Sequence, residues 1–533
     1  MFTALNLAIV SLWFLSAAVD YAEFCYLWQL KEYRLDRLRD FFSTKQGQRY
    51  WLRYQLLWRS LAVLVIFFWP FNQVITLKYI LLLGFLAELI YNAWRLYRGR
   101  IRYPRPTAKA FGIVAAALLL EALLAVNDRD WAQTLVLVIV RFPLLSFTVI
   151  VFNKVTGRVK DWYIARAAKK IRSYPHLIVI GVTGSYGKST VKEFLSQILA
   201  QKYSLVKTPR NTNTDIGIAQ FILRTSFSGV QVFVVEMGAY RVGEIKKICD
   251  MVRPKVGILT AIIEQHLSLF GSIQNIQTAK YELLRSLPAD GLAVVYADNP
   301  FCTEFLGDLT CRRVETYGLD PDNKPSLLIT NIKSGLDGLR CSGVYLGFEG
   351  EMQAPVLGAH QALNIAPATM VAVYLGLTRE QVYAGYRTLK AGENSLKIYR
   401  YGSADVIDDS YNSNPVGFKA ALDIMAKFPS ERERVVVTRG MLELGEKTEE
   451  YHEVMAEEIA FTADKLVLIT PDFTAAIRRG IEKINGKYRL EIIEKYDSRE
   501  LCDYLKQYKN KPAVILLENR VPKLARSELK SGL

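Results

Sequence analysis

Leu177-Ile178-Val179-Ile180-Gly181-Val182-Thr183-Gly184-Ser185-Tyr186-Gly187-Lys188-Ser189-Thr190, continued by Val191-Lys192-Glu193-Phe194-Leu195, joins a short apolar run to a glycine-containing turn and then to residues with helical spacing. A strand-to-helix turn of this kind leaves backbone N–H groups pointing into one concavity and lets the chain pass close to an anion, so the stretch reads as a phosphate cradle. In this reading Lys188 neutralises the β- and γ-phosphates of a nucleotide, and Ser189 or Thr190 helps to hold Mg²⁺. The strict pattern asks for a further glycine at position 182; Val182 stands there, and Gly181 and Gly184 are the nearest glycines.

Downstream, Lys207-Thr208-Pro209-Arg210-Asn211-Thr212-Asn213-Thr214-Asp215-Ile216-Gly217 is a polar segment before an apolar helical run. Gln231-Val232-Phe233-Val234-Val235-Glu236-Met237-Gly238-Ala239 then reads as a buried strand ending in an acid, the place where an α/β nucleotide site puts a Mg²⁺ ligand. Val256-Gly257-Ile258-Leu259-Thr260 is another strand; it leads to Glu264-Gln265-His266 and Phe270-Gly271-Ser272, after which 276–284 reads as a helix and 292–296 as a strand. This alternation over 177–300 predicts a mostly parallel sheet with helices on both faces. Residues 326–354 alternate polar and apolar around Gly335, Gly338 and Gly347, as small antiparallel strands at the edge of that unit would. From Lys397 a second α/β unit begins, with strands expected at 405–408, 434–438, 465–469 and 513–517 and helices at 417–428 and 448–460.

Upstream the character of the chain changes. Apolar runs at 3–26, 60–76, 79–96, 110–127 and 132–152 predict five membrane spans. The net charge of +16 at pH 7 would suggest nucleic acid in a wholly soluble protein, but the basic residues cluster at 31–59, 98–109 and 154–172, beside the apolar runs. That placement points to an anionic membrane surface, with no nucleic-acid partner. By the positive-inside bias the N-terminus faces out, and everything after 153 is cytoplasmic. With no basic n-region or cleavage site, the first run reads as a retained anchor. Asp20, Glu23, Glu88 and Glu121 fall in or near the runs, where an ionisable group is costly unless paired or in a polar cavity; they line a lipid or headgroup site or serve as helix-packing partners. Residues 33–42 have the spacing of an interfacial or cytoplasmic loop helix, and 154–174 read as a basic amphipathic linker ahead of Pro175. The six cysteines show no CxxC pair or metal-like spacing, which fits a reducing compartment.

The motif set 181–190, Glu236-Met237-Gly238-Ala239, His266 with Phe270-Gly271-Ser272, and Ala279-Lys280 resembles the ATP-dependent Mur ligases. Gly358-Ala359-His360 with Asn364, Asp408-Asp409-Ser410-Tyr411-Asn412-Ser413-Asn414-Pro415, and Met441-Leu442-Glu443-Leu444-Gly445 resemble the branch that adds D-alanyl-D-alanine to the UDP-N-acetylmuramoyl tripeptide. The resemblance covers about 175–533. Behind the multi-span α-helical membrane region (1–153) and the linker (154–174) read from the apolar runs and basic flanks, it implies an α/β central domain of the P-loop type (175–396) and a Rossmann-like C-terminal domain (397–533). It further implies ATP and Mg²⁺ as cofactors, Gly184, Gly187, Lys188, Ser189 and Thr190 as the phosphate cradle, and Ser189 and Glu236 as Mg²⁺ ligands. His266 would lie near a second metal and a carbamylated Lys280 would help position it, so that Lys188, His266 and Lys280 form the catalytic set. His360 and Asn364 resemble the family's adenine-side residues, and Asp409 its ribose-binding acid. Tyr411, Asn412 and Asn414 belong to the nucleotide loop of the third domain. Such a ligase activates a carboxylate as an acyl phosphate, which an amine then attacks. Carbamylation would turn Lys280 from a cation into an anionic ligand, so metal binding rather than general-base action is its implied role.

The chain also departs from that pattern. Thr260-Ala261-Ile262-Ile263 replaces Thr-Asn-Ile-Gly, 213–217 replaces Asn-Asn-Glu-Ile-Gly, Glu393-Asn394-Ser395 replaces Pro-Gly-Arg, and Gly440 replaces the aspartate before Met441. Arginine to serine at a nucleotide-facing hinge removes a charge and a rigid donor fork. The apolar region stands where soluble relatives carry a domain for the uridine nucleotide. The expectation is a ligase with its catalytic domains in the cytoplasm, tethered to the cytoplasmic membrane by several spans and in contact with membrane lipid. It would join a UDP-linked or lipid-linked cell-envelope precursor, of peptidoglycan type, to an amine donor, near partners in envelope biosynthesis. The rivals are a ligase for a lipid-linked or non-peptidoglycan intermediate, and a nucleotide-binding membrane scaffold with weakened catalysis. Lys188, Glu236, His266 and Lys280 favour an enzyme; Ser395 and Gly440 keep the scaffold in play.

Overall fold

The computed structural model describes residues 4–43, 47, 59–61, 74–127, 136–264, 267–392, 395–411, 415–441, 447–484 and 490–530. The chain divides into two compact units, Met1–Trp162 and Tyr163–Leu533.

Helices α1 (Ala4–Leu30), α2 (Leu35–Ser43), α3 (Val74–Tyr97), α4 (Ala108–Asn127) and α5 (Arg141–Arg172) carry the first unit, α5 extending past its boundary. Among the described residues, three helices are long and apolar enough to cross a membrane: Ala4–Leu30, Lys78–Tyr97 and Ala108–Ala125. Leu83, Ile90, Phe111, Leu119 and Leu123 point outward from two of them, each at least 60% exposed, as lipid-facing side chains would be. Most of the expected run at 60–76 lies outside the described residues. The described part of the run expected at 132–152 meets the start of α5, which continues as helix through the whole basic segment, so that run and the linker share one helix.

The four acids singled out from the sequence, Asp20, Glu23, Glu88 and Glu121, are paired. Arg59 binds Asp20 at 2.6 Å and Glu88 at 2.7 Å, and Arg141 binds Asp20 at 2.9 Å and Glu121 at 3.0 Å. Ser16 Oγ donates to Glu88, and Trp13 Nε1 and Tyr21 OH donate to Glu121. Glu23 pairs with Arg95. Of the two roles open to these acids, the geometry is that of helix-packing partners, each charge facing an opposite one.

The second unit holds two sheets. The larger is built from β1 (Ile178–Thr183), β2 (Leu205–Lys207), β3 (Val232–Glu236), β4 (Val256–Leu259), β5 (Leu292–Tyr296), β6 (Arg313–Gly318), β7 (Leu327–Gly335), β8 (Gly338–Tyr345) and β9 (Phe348–Ala354), in the order β2-β3-β1-β4-β5-β6-β7-β8-β9. Pairing is parallel from β2 to β7 and antiparallel from β7 to β9, so 327–354 extends the edge of the same sheet. Continuous apolar runs suit strands covered on both faces. Ile180 and Val182 pack on one face with Phe194 and Leu195 of α6 (Lys188–Leu199), and Val179 packs on the other with Leu283 and Leu284 of α7 (Ile273–Arg285).

Lys397–Tyr401 (β10), Ala404–Asp409 (β11), Glu433–Thr438 (β12), Lys465–Leu468 (β13), Glu491–Glu494 (β14) and Ala513–Glu518 (β15) form the smaller sheet, ordered β10-β11-β15-β12-β13-β14 and parallel except for β10. β10 and β14 go beyond the strands expected from sequence. The six cysteines are free and buried.

Candidate active site

The phosphate turn follows β1 at the point where the strand order reverses, between β1 and β4; open α/β sheets bind ligands in such a crevice. Two glycines shape it, Gly184 at φ +149° and Gly187 at φ +81°. A Cβ on Gly184 would lie 2.0 Å from Thr260 Oγ1, and one on Gly187 would lie 2.8 Å from Asn364 Oδ1, so only bare backbone fits there.

The strand end after β4 fastens this turn. Thr260 Oγ1 donates to the carbonyl of Tyr186 and, at 3.3 Å, to that of Thr183. Ser185 N donates to the Ala261 carbonyl at 2.7 Å, and Ile263 N donates to Ser185 Oγ at 3.1 Å. Positions 261 and 263 contribute only main-chain atoms, which is why their side chains can depart from the expected Asn and Gly without releasing the turn.

Lys188 opens α6 and folds back, its Nζ donating to the Gly184 carbonyl at 2.6 Å and to that of Ser185 at 3.0 Å. Burial lowers its pKa, against the pull of nearby Glu236. Lys280, on α7, is buried beneath the same turn with Nζ 3.0 Å from the Gly184 carbonyl. Desolvation, reinforced by the Lys188 charge, holds its amine well below the ordinary lysine range. Glu236 ends β3, beside Val182 in the register. Burial pushes its carboxyl up, but Lys192 and Lys188 outweigh that and the net shift is downward, so it is ionised. The Ser189 hydroxyl adds to that lowering. A hydroxyl and a carboxylate side by side are hard oxygen donors of the kind Mg²⁺ takes.

From this turn a cavity of about 160 Å³ opens, lined by Gly187, Thr190, His360, Asn364, Ser395 and Asp409. His360 precedes α8 (Gln361–Tyr374). Burial takes its pKa down to about 4, which leaves a neutral imidazole, and its Nδ1 is buried with no hydrogen-bond partner in the described structure. Asn364 Nδ2 donates to Gln361 Oε1 at 2.9 Å. Asp409 closes β11; burial and the adjacent Asp408 raise its carboxyl to about 7. Asp408 itself is held low, because Ser410 and Lys530 outweigh its burial. An orphaned ring nitrogen, a cradle that a Cβ would fill and a hard oxygen pair together fit a nucleotide with Mg²⁺.

Tyr411 stands outside the cavity: its hydroxyl donates to Asn211 Oδ1 at 3.2 Å and its ring lies under Arg210. With the Lys447–Glu264 pair at 3.1 Å, this contact joins the two sheets' domains. His266, Asn412 and Asn414 lie outside the described residues. Sequence reasoning missed Thr260, Asn213 and Lys192. Thr260 and Asn213 stood only as members of family segments with no role of their own, and the signal for Lys192 was its position one helical turn after Lys188.

Comparison with known proteins bears on residues in the second unit. Residues 182–372 match the Mur ligase middle domain, and 397–517 match the Mur ligase, glutamate ligase domain. A protein of Bacillus subtilis (strain 168) named UDP-N-acetylmuramoyl-tripeptide--D-alanyl-D-alanine ligase is 30% identical over 275 residues, 51% of this chain and 58% of that one. The Escherichia coli (strain K12) protein of the same name is 30% identical over 302 residues, 56% of this chain and 66% of its own. The chain thus spans about three fifths of the length of these curated relatives. Among solved structures, that of MurF ligase from Thermotoga maritima in complex with ADP superposes with a TM-score of 0.60 at 25% identity, covering 70% of this chain and 84% of that one.

Proposed function

This chain belongs to the Mur ligase family, and from that premise we propose that it is a membrane-tethered, ATP- and Mg²⁺-dependent ligase that joins a carboxylate of a peptidoglycan-type precursor to an amine. One observation carries the reading: Gly187 and Thr190 of the phosphate turn, His360 and Asn364 of α8, and Asp409 of the other domain border one cavity. Phosphate, base and sugar contacts of a single nucleotide need that convergence.

ATP with Mg²⁺ supplies the phosphoryl group that activates the carboxylate. The chain's own residues do the rest. The bare turn at 184–187 approaches the phosphates, and Lys188 supplies a positive charge that its contacts with two carbonyls already aim at the loop. Neutral His360 offers a hydrogen bond without placing a charge in a buried pocket. Lys280, kept from protonation by burial, has the free amine that carbamylation requires, and the carbamate so formed would be an anion beside Lys188.

The relatives' name supplies the first substrates to try, the UDP-linked muramoyl tripeptide and D-alanyl-D-alanine. A second reading, a carboxylate carried on a lipid, is favoured by the apolar helices of the first unit and by family matches that begin only at residue 182. Detergent-solubilised full-length protein incubated with ATP, Mg²⁺, D-alanyl-D-alanine and either the UDP-linked tripeptide or a lipid extract of envelope precursors should release ADP and yield a product heavier by the added dipeptide. Strict dependence on the UDP-linked tripeptide removes the lipid reading. Failure of both precursor fractions to elicit ADP release from protein that still binds nucleotide removes the ligase reading.

A further inference from the structure

Lys192 is a charged side chain buried in the second unit, 1% exposed, on the same face of α6 as Lys188 and one turn further on. A buried ammonium is costly unless an opposite charge meets it. Its nearer acid is Glu236, with Nζ 3.1 Å from Oε2; Glu193 is 3.8 Å away and itself holds Lys207. The other carboxylate oxygen, Oε1, accepts from Asn213 Nδ2 at 3.2 Å, and Thr208 Oγ1 accepts from the Glu236 backbone N at 3.0 Å. The acid is therefore gripped from α6 and from the 208–213 segment at once. The two lysines differ in what they hold: Lys188 Nζ contacts the carbonyls of the turn, whereas Lys192 Nζ contacts the acid.

We propose that Lys192 is a positioning residue, a fixed counter-charge behind the site that holds Glu236 facing the phosphate turn, so that the Mg²⁺-dependent part of nucleotide affinity depends on Lys192 through Glu236. The inference rests on the ligase reading above. It assigns Lys192 no contact with nucleotide. The two lysines then differ in what their loss does: without Lys188 phosphate binding weakens with or without metal, whereas without Lys192 only the gain that metal brings is weakened.

The proposal is tested by calorimetric titration of the full chain in detergent with ADP, with and without Mg²⁺, for wild type, Lys192→Met, Glu236→Gln and the double variant. Lys192→Met should leave metal-free ADP affinity within about twofold of wild type and cut the Mg²⁺-dependent gain by about tenfold or more. In the Glu236→Gln background the same change should cost nothing further, because the residue acts only through that acid. The proposal is overturned by a loss in metal-free affinity equal to the loss with Mg²⁺, or by an equal loss in both backgrounds. If Lys192→Met is too unstable to titrate, Lys192→Gln, which removes the charge but keeps a polar donor for the buried site, takes its place with the same expected direction. Wild type that binds no ADP refutes the ligase reading itself, and that result is visible before any variant is compared.

Discussion

Asp409 shows how one side chain's surroundings turn into a pH effect. Its carboxyl is raised to about 7, first by burial and then by Asp408, while in the unfolded chain it titrates near 3.8. A folded pKa above the unfolded one means that the folded state keeps a proton the unfolded state gives up. The resulting loss of stability is absent below pH 4, grows from there to pH 7 and is constant above. Asp409→Asn should accordingly melt higher than wild type at pH 8 and no differently at pH 4; equal melting temperatures at pH 8 would sink this account. Gly440 illustrates a residue whose meaning sequence alone could not give. As a departure from an expected aspartate it kept a scaffold with weakened catalysis in play. In the structure it sits at φ +78° where a Cβ would lie 2.6 Å from His452 Nε2 and 2.5 Å from the Phe473 ring, and His452 Nε2 accepts from Met441 N. Glycine there accommodates a packed ring, so Gly440→Asp should lower stability by about 1–3 kcal/mol in a thermal melt. Ser395 borders the cavity where the expected arginine would have brought a charge.

At the scale of elements, the strands around the phosphate turn were legible because each is a continuous apolar run closed by a polar residue, and the turn has its own local grammar of glycine and lysine. The meander at 327–354 was legible from alternation. The contacts that hold the site were not. Lys192 meets Glu236, and Thr260 meets Tyr186, only because β3 and β4 flank β1, and that order is decided by packing between residues far apart in sequence. The same limit applied to the apolar helices. Asp20, Glu88 and Glu121 could be recognised as costly, but not assigned their partners Arg59 and Arg141. Removing one side of such a buried set leaves a charge uncompensated, which costs about 3–5 kcal/mol. Arg141→Met should therefore make the detergent-solubilised protein aggregate at a clearly lower temperature, and adding Glu121→Gln should recover part of the loss. An unchanged aggregation temperature would mean that the pairs contribute little.

For the whole molecule, the prediction is topological. The full chain should stay with the membrane pellet after a carbonate wash, and protease should reach its C-terminal domains in inside-out vesicles and not in right-side-out ones. Release by carbonate, or digestion from the outer face, would contradict the membrane reading. A further consequence lies at the margins of the two sheets. The larger ends on one side in β2, only three residues long, and on the other in β9, with Glu349 and Glu351 exposed; the smaller ends in β10, with Lys397 and Arg400 exposed, and in β14, with Glu491 and Glu494 exposed. Short or charged borders discourage the addition of a foreign strand. If the apolar helices hold many copies in one membrane, as proposed above, those copies would otherwise meet sheet to sheet, and these borders would guard against self-association.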